Sequence, residues 1–282
     1  MTIRQLNGKL PARSDLGNEM VRKQFALPVA LGAAMMMSAS SVEAAQCGST
    51  AAGFEAWKKT FAVEAKSHGI KPKAVSALMG TRYSQGTINV DRSQKGFNLS
   101  LSAFMAKRGA AGIAARGKSL KRANAALFAS IEKRYGVPPG PLIAIWGMET
   151  GFGRFTGNQN MLSAVATLAY DCRRSEYFTE HLYAALKLID RGVLSASTRG
   201  AMQGEVGQTQ FLPKNIMLYG GGNLSSKADA LTSTARFLKA HGWVAGGGYQ
   251  PGQRNFAAIQ GWNAATVYQK AIAIIGKQID EN

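Results

Sequence analysis

The sequence predicts a mainly α-helical protein with few or no strands. Three observations lead there. Apolar residues recur at helical spacing in several segments, each bounded by cap or stop residues. Runs that alternate apolar and polar residues are rare. The hydrophobic fraction is 46% over 282 residues, a globular composition with enough chain for one sizeable core.

The N-terminus reads as an export signal. Met1 to Gly17 form a long n-region, with Met20 as an alternative start. Arg22 and Lys23 precede an apolar run from Phe25 to Met37, and Val42 and Ala44 stand where a signal peptidase needs small residues. The apolar run is too short to span a bilayer. The expected division is a signal over residues 1–44 and a mature chain over 45–282. In the mature chain, 45–117 form an N-terminal helical part and 118–282 a catalytic core. The expected location is the periplasm, with no transmembrane segment in the mature chain and a monomeric state.

Beyond the signal, Lys118 to Tyr135 carries Leu120, Ala123, Leu127, Ile131 and Tyr135 at helical spacing, with Ser119 as cap and Gly136 as stop. Val137-Pro138-Pro139 turns into the next helix. Leu142 to Met148 is apolar nearly all round, which predicts a buried helix. Further helices are expected over about Ser175 to Arg191, Lys227 to His241 and Ala264 to Gly276. Gly242 to Asn255 is glycine-rich and reads as a loop or short hairpin.

The formal charge is +18. Cleavage after Ala44 removes five basic and three acidic residues and leaves +16, so the basicity belongs to the mature protein. Such a charge favours an anionic polymer or surface, and export argues against nucleic acid. Two cysteines, Cys47 and Cys172, in an oxidising compartment are compatible with one disulfide or with two thiols. Gln46 before Cys47 argues against a lipid anchor. His68, His181 and His241 show no metal-ligand spacing, so no metal site is expected, and the resemblance described below implies a reaction that needs no cofactor.

The buried helix ends in Trp146-Gly147-Met148-Glu149-Thr150-Gly151, and no other acid lies between Glu132 and Asp171. Apolar surroundings and the helix C-terminus both disfavour an ionised Glu149. A carboxylic acid still protonated near neutral pH can act as a general acid. The plain alternative is a glutamate that reaches solvent or pairs with Arg154. Glycosidic cleavage usually uses two carboxylates, and the nearest further candidates are Asp171, Glu176 and Glu205. The shortage of an obvious second acid suggests a substrate that supplies its own nucleophile.

The stretch from Gly136-Val137-Pro138 to Glu149-Thr150-Gly151-Phe152-Gly153-Arg154 resembles the catalytic helix of the lytic murein transglycosylases, in particular the membrane-bound B type, glycoside hydrolase family 103. Asp91, Gln94 and Phe97 resemble a segment ahead of the core. Arg173-Arg174-Ser175-Glu176-Tyr177-Phe178, Gly207-Gln208-Thr209-Gln210-Phe211-Leu212-Pro213, Phe237 to Trp243 and Gly261-Trp262-Asn263 follow in order. The resemblance covers Trp57 to the C-terminus. It implies a lysozyme-like helical fold and a carbon-oxygen lyase whose partner is the peptidoglycan glycan strand.

The implied mechanism uses Glu149 twice. As an acid it protonates the oxygen between MurNAc and GlcNAc while the acetamide steadies C1. As a base it then takes the proton from O6, which closes a 1,6-anhydro ring. The resemblance also assigns substrate contacts to Arg173, Arg174, Tyr177, Gln210, Phe211, Trp262 and Asn263. Each has a plainer reading: solvated charge for the arginines, backbone satisfaction for Gln210, a helix cap for Asn263, core packing for the aromatics.

Three departures stand out. Ala201 replaces a serine near the start of the segment before Gly207. Glu205 occupies a small-residue position. The Tyr219-Gly220-Gly221-Gly222-Asn223 stretch is nearly acid-free where the family carries a calcium-loop-like insertion, which argues against calcium. No wall-binding segment follows the last helix, so wall affinity is expected from the cleft and the basic surface. The rival readings are a lysozyme-type hydrolase in which Glu205 or Asp171 activates water, and a non-catalytic basic wall-binding protein.

Overall fold

The computed structural model describes residues 45–93 and 99–281. The expected signal, residues 1–44, and the motif residues Gln94 and Phe97 lie outside the described residues. Among the described residues are thirteen α-helices and one pair of two-residue strands, as the sequence predicts.

The helix α7, Pro139–Thr150, organises the rest. Every residue from Pro139 to Met148 is buried, and Thr150 with them. Pro139 opens the helix where no N–H is needed. Gly151 closes it in the left-handed conformation, φ 57°, its N–H bonding the Gly147 carbonyl at 3.0 Å. Helices α5, Ala110–Ala123, and α13, Thr266–Asp280, pack on two sides of α7. Gly140 permits the closest approach, because a Cβ there would collide with the Gly276 carbonyl of α13. Asp280 fixes the same end, accepting from the Gly140 N–H at 2.7 Å.

The expected single helix over Lys118 to Tyr135 is two. Asn124 ends α5 and starts α6, Ala125–Tyr135, with φ −127° and ψ 32°. Its side-chain amide donates to the Leu120 carbonyl at 2.8 Å and competes with the backbone for it. Leu120 and Ala123 therefore belong to one helix, and Leu127, Ile131 and Tyr135 to the next. Residue 118 lies inside α5.

Around this centre run α1, Phe54–Ser67; α2, Pro72–Met79; α3, Gln85–Arg92; and α4, Leu101–Lys107. After α7 come β1, Gln159–Asn160; α8, Met161–Tyr170; α9, Ser175–Asp190; and β2, Arg199–Gly200. Then follow α10, Pro213–Tyr219; α11, Lys227–Ala240; and α12, Phe256–Trp262. The two strands pair antiparallel, Gln159 opposite Gly200. The glycine-rich stretch 242–255 forms turns without strand. Lys58 of α1 is buried, and its ammonium donates to the Thr81 and Met79 carbonyls at 2.7 and 3.0 Å, satisfying the end of α2. Cys47 and Cys172 are joined, with Cα atoms 5.0 Å apart. No described helix is long and apolar enough to cross a membrane.

Candidate active site

The carboxyl of Glu149 emerges at the C-terminal end of α7 into a cavity of about 260 Å³. Its Oε1 accepts two hydrogen bonds, from the Trp262 indole N–H at 3.0 Å and the Tyr268 hydroxyl at 2.7 Å. Trp262 closes α12 and Tyr268 lies in the first turn of α13, so the connection between these helices holds the acid. Among the described residues no ion pair joins Glu149 to Arg154.

Burial pushes the Glu149 carboxyl above the usual carboxylate range. The bonds from Trp262 and Tyr268 favour the anion and work against that shift, as does Arg108 at the end of α4, whereas Glu205 adds to it. The Tyr268 hydroxyl is itself pushed well up, by burial first and by Glu149 next, so it stays a donor.

The turn from Gly207 to Phe211 forms one wall. Val206 and Phe211 bond each other in both directions, at 2.9 and 3.0 Å, and close the turn. Gln210 sits inside it at φ 58°, a left-handed conformation uncommon for a side-chain-bearing residue. Its amide N–H₂ donates to the Gly207 carbonyl at 2.8 Å and to the Thr156 carbonyl at 3.3 Å. Thr150 ties the turn to α7: its hydroxyl donates to the Gln208 carbonyl at 2.6 Å and accepts from the Gly153 N–H at 2.8 Å. Gln208 accepts from the Trp146 indole at 2.8 Å. The Glu-Thr-Gly and Gly-Gln-Thr-Gln segments thus form one hydrogen-bonded unit.

Five of the seven sequence-proposed contact residues line the cavity with Glu149: Tyr177, Gln210, Phe211, Trp262 and Asn263. Tyr177 is half exposed, while Phe211 is buried and packs its ring against Phe237 and Trp262. The Asn263 carboxamide accepts the Ala265 N–H at 2.9 Å, an Asx turn that leads into α13; the cap position itself is Ala265. Arg173 and Arg174 do not line the cavity. Both pair with the buried carboxylate of Asp91, which also accepts from the Gln203 amide at 2.7 Å.

Glu205 lines the cavity too. Asp171 does not: it is buried and accepts from Arg92 at 2.5 Å. Glu176 is exposed on α9 and lies outside the cavity. Tyr268 is the partner of Glu149 that the motifs missed. The available signal was a tyrosine on the buried face shared with Ala271, Ile272, Ile275 and Ile279, where a hydroxyl must find a partner. A larger groove of about 770 Å³ includes Val206, Arg191 and Arg199 and is lined by no carboxyl group among the described residues. No cluster of metal-ligating side chains occurs among the described residues.

The membrane-bound lytic murein transglycosylase B of Escherichia coli K12 is 39% identical over 121 residues, which are 40% of this chain and 34% of that relative. The match thus spans about a third of the length of the curated relative. SltB3 from Pseudomonas aeruginosa, solved in complex with NAG-anhNAM-pentapeptide, superposes with a TM-score of 0.72 at 26% identity over 79% of this chain and 78% of that one. Its complex with NAG-NAM-pentapeptide gives 0.73 at 26% identity over 81% and 80%. The Escherichia coli lytic transglycosylase Slt35, in complex with bulgecin A, shares the fold, with a TM-score of 0.70 at 22% identity over 83% of this chain and 96% of that one. The profile of the transglycosylase SLT domain matches residues 53–251, and the chain belongs to that family.

Proposed function

We propose that the protein is a peptidoglycan lytic transglycosylase that cleaves the MurNAc-β-1,4-GlcNAc bond and leaves a 1,6-anhydro-MurNAc end. One observation carries the reading: Glu149 is a partly buried carboxyl on the cavity wall whose Oε1 already accepts two hydrogen bonds, which leaves Oε2 as the oxygen to carry its proton. From Oε2 the proton passes to the glycosidic oxygen as the bond to C1 breaks. The substrate's acetamide stabilises the positive charge at C1. Oε2, now basic, takes the proton of the O6 hydroxyl, and O6 bonds C1. The carboxyl ends as it began, and no water enters the balance. Trp262 and Tyr268 orient the group through both steps and bear part of the negative charge between them.

Tyr177, Gln210, Trp262 and Asn263 are the proposed sugar contacts, supported by their place around Glu149. Phe211 backs the Trp262 ring. Arg173 and Arg174 keep partly exposed guanidinium groups while bound to Asp91 and are proposed to meet the strand beyond the cavity. The proposed setting is the periplasm, as a monomer exported by the N-terminal signal.

A second reading, a lysozyme-type hydrolase, is favoured by one observation, the presence of Glu205 in the same cavity. Digestion of purified peptidoglycan with mass analysis of the products separates the two. Anhydro-muropeptides support the transglycosylase, reducing ends the hydrolase, and no soluble product a binding protein. Glu149→Gln, nearly isosteric, is expected to remove at least 99% of the product while the protein stays folded, about the hundredfold lower end of a general acid–base contribution.

A further inference from the structure

Glu205 stands where the resemblance calls for a small residue, so the family's chemistry makes no provision for it. Its side chain lines the cavity that holds Glu149. Its Oε2 is buried and no protein group among the described residues donates to it. The carboxyl is held by the backbone N–H groups of Glu205 itself and of Gln203. The Gln203 amide is fixed in turn on Asp91. An oxygen buried without a protein donor is costly to maintain.

We propose that Glu205 acts through Glu149 as the second member of a carboxyl dyad, its charge retaining the catalytic proton before cleavage and drawing the O6 proton back afterwards. The proposal rests on the transglycosylase reading of Glu149. The two carboxyls share one cavity and feel each other's charge: Glu205 raises the proton affinity of Glu149, while burial, its backbone donors and Arg174 act on Glu205 itself. Arg174 of the α9 start is the cation facing Glu205, but its guanidinium is bound to Asp91 and lies 4.8 Å from the Phe178 ring centre. Tyr177 of α9 feels both charges. On the other side, Arg108 from α4, Tyr268 from α13 and Trp262 from α12 face Glu149 and oppose the effect.

A charge on a carboxyl in the wall of a narrow cavity is less screened than one in bulk water, so its field reaches across the cavity. Two interacting carboxyls lose their protons in separate steps. With Glu205 ionised, Glu149 keeps its proton to higher pH and, once it has donated, is the stronger base. Glu205 is a positioning residue on this account and exchanges no proton with substrate.

The test compares wild type, Glu205→Gln and Glu205→Asp by ¹³C NMR titration of the labelled Glu149 carboxyl and by pH–rate profiles of muropeptide release. The titration does not need activity, so it stands even if the proposed reaction is wrong. Glu205→Gln is expected to move the Glu149 midpoint and the alkaline limb about one unit lower. The wild-type to variant rate ratio then climbs about tenfold across the limb, and Glu205→Asp restores most of the shift. Should Glu205→Gln unfold, Glu205→Ala provides the same comparison. An unchanged midpoint with uniform loss at every pH would reduce Glu205 to packing and overturn the proposal. Reducing ends from wild type that vanish in Glu205→Gln would instead make Glu205 the activator of water.

Discussion

The Tyr268 hydroxyl donates to Oε1 of Glu149 at 2.7 Å from the first turn of the last helix, 119 residues along the chain. The bond favours the ionised acid, against the burial that favours the neutral one. Tyr268→Phe removes the donor and keeps the ring. Glu149 then holds its proton more tightly, so the alkaline limb of the rate profile is expected to move to higher pH. The rate should fall about 10-fold, because the carboxyl retains the Trp262 bond but loses half of its orientation. The direction is opposite to that expected for Glu205→Gln. A limb that moved down instead would show that Tyr268 does not serve the ionised carboxyl.

Glu149 also sets a stability trend. Its proton affinity is raised by folding, so its contribution is fully present below the unfolded carboxyl range and is lost as pH rises through the folded value. Above that point the fold holds a buried charge that the unfolded chain would solvate. Glu149→Gln has no such charge and is expected to melt higher than wild type at pH 8, by about 2–4 °C for each kcal/mol relieved. At pH 4 the difference should close. Calorimetry at both values measures it, and an equal difference at both would mean that the effect is packing and not charge.

The helices were legible in the sequence where propensity and burial pointed the same way. The α7 stretch is apolar all round and bounded by proline and glycine, so both its position and the acid at its end could be read. The break at Asn124 could not, since periodicity continues through it and a side-chain bond to the Leu120 carbonyl ends the helix. The cavity was legible as far as its motifs: five expected residues surround Glu149. Tyr268 was hidden because its partner lies 119 residues away, and local spacing carries no information about such a bond. The arginine pair was visible as charge, but Asp91, 82 residues before Arg173, decides what those charges do.

The Cys47–Cys172 bridge closes a loop of 125 residues and ties the segment before α1 to the turn that carries Arg173 and Arg174. On a chain-entropy account a loop of that length contributes about 4–5 kcal/mol, often less in practice. Cys172→Ser is therefore expected to lower the unfolding free energy by about 2–4 kcal/mol in urea titration. Dithiothreitol should destabilise wild type and leave the variant unaffected. Two alkylatable thiols in an unreduced digest of protein purified under oxidising conditions would remove the basis for this.

Asp91 links that turn to the reaction centre. Its buried carboxylate accepts from Arg173 and Arg174 through both oxygens, and from the Gln203 amide at 2.7 Å, two residues before Glu205. Asp91→Asn keeps the shape but removes the charge and turns one acceptor into a donor that faces donors. Breaking a buried pair costs about 3–5 kcal/mol. Here about 2–3 kcal/mol is expected, since both guanidinium groups are partly exposed and can turn to water. A second effect separates this from simple loosening. Arg174, released from Asp91, is free to reach the Oε2 of Glu205, to which no protein group among the described residues donates. Glu205 would then be neutralised by an ion pair and would cease to repel the charge on Glu149. The alkaline limb of Asp91→Asn should accordingly move to lower pH, in the same direction as in Glu205→Gln. In the double variant Asp91→Asn/Glu205→Gln the two shifts should not add, because both remove one and the same charge. Urea titration gives the stability, and rate profiles measured well below the melting temperature give the limb. A stability loss with the limb in place would confine Asp91 to holding the fold, and additive shifts in the double variant would show that it reaches Glu149 by a route other than Glu205.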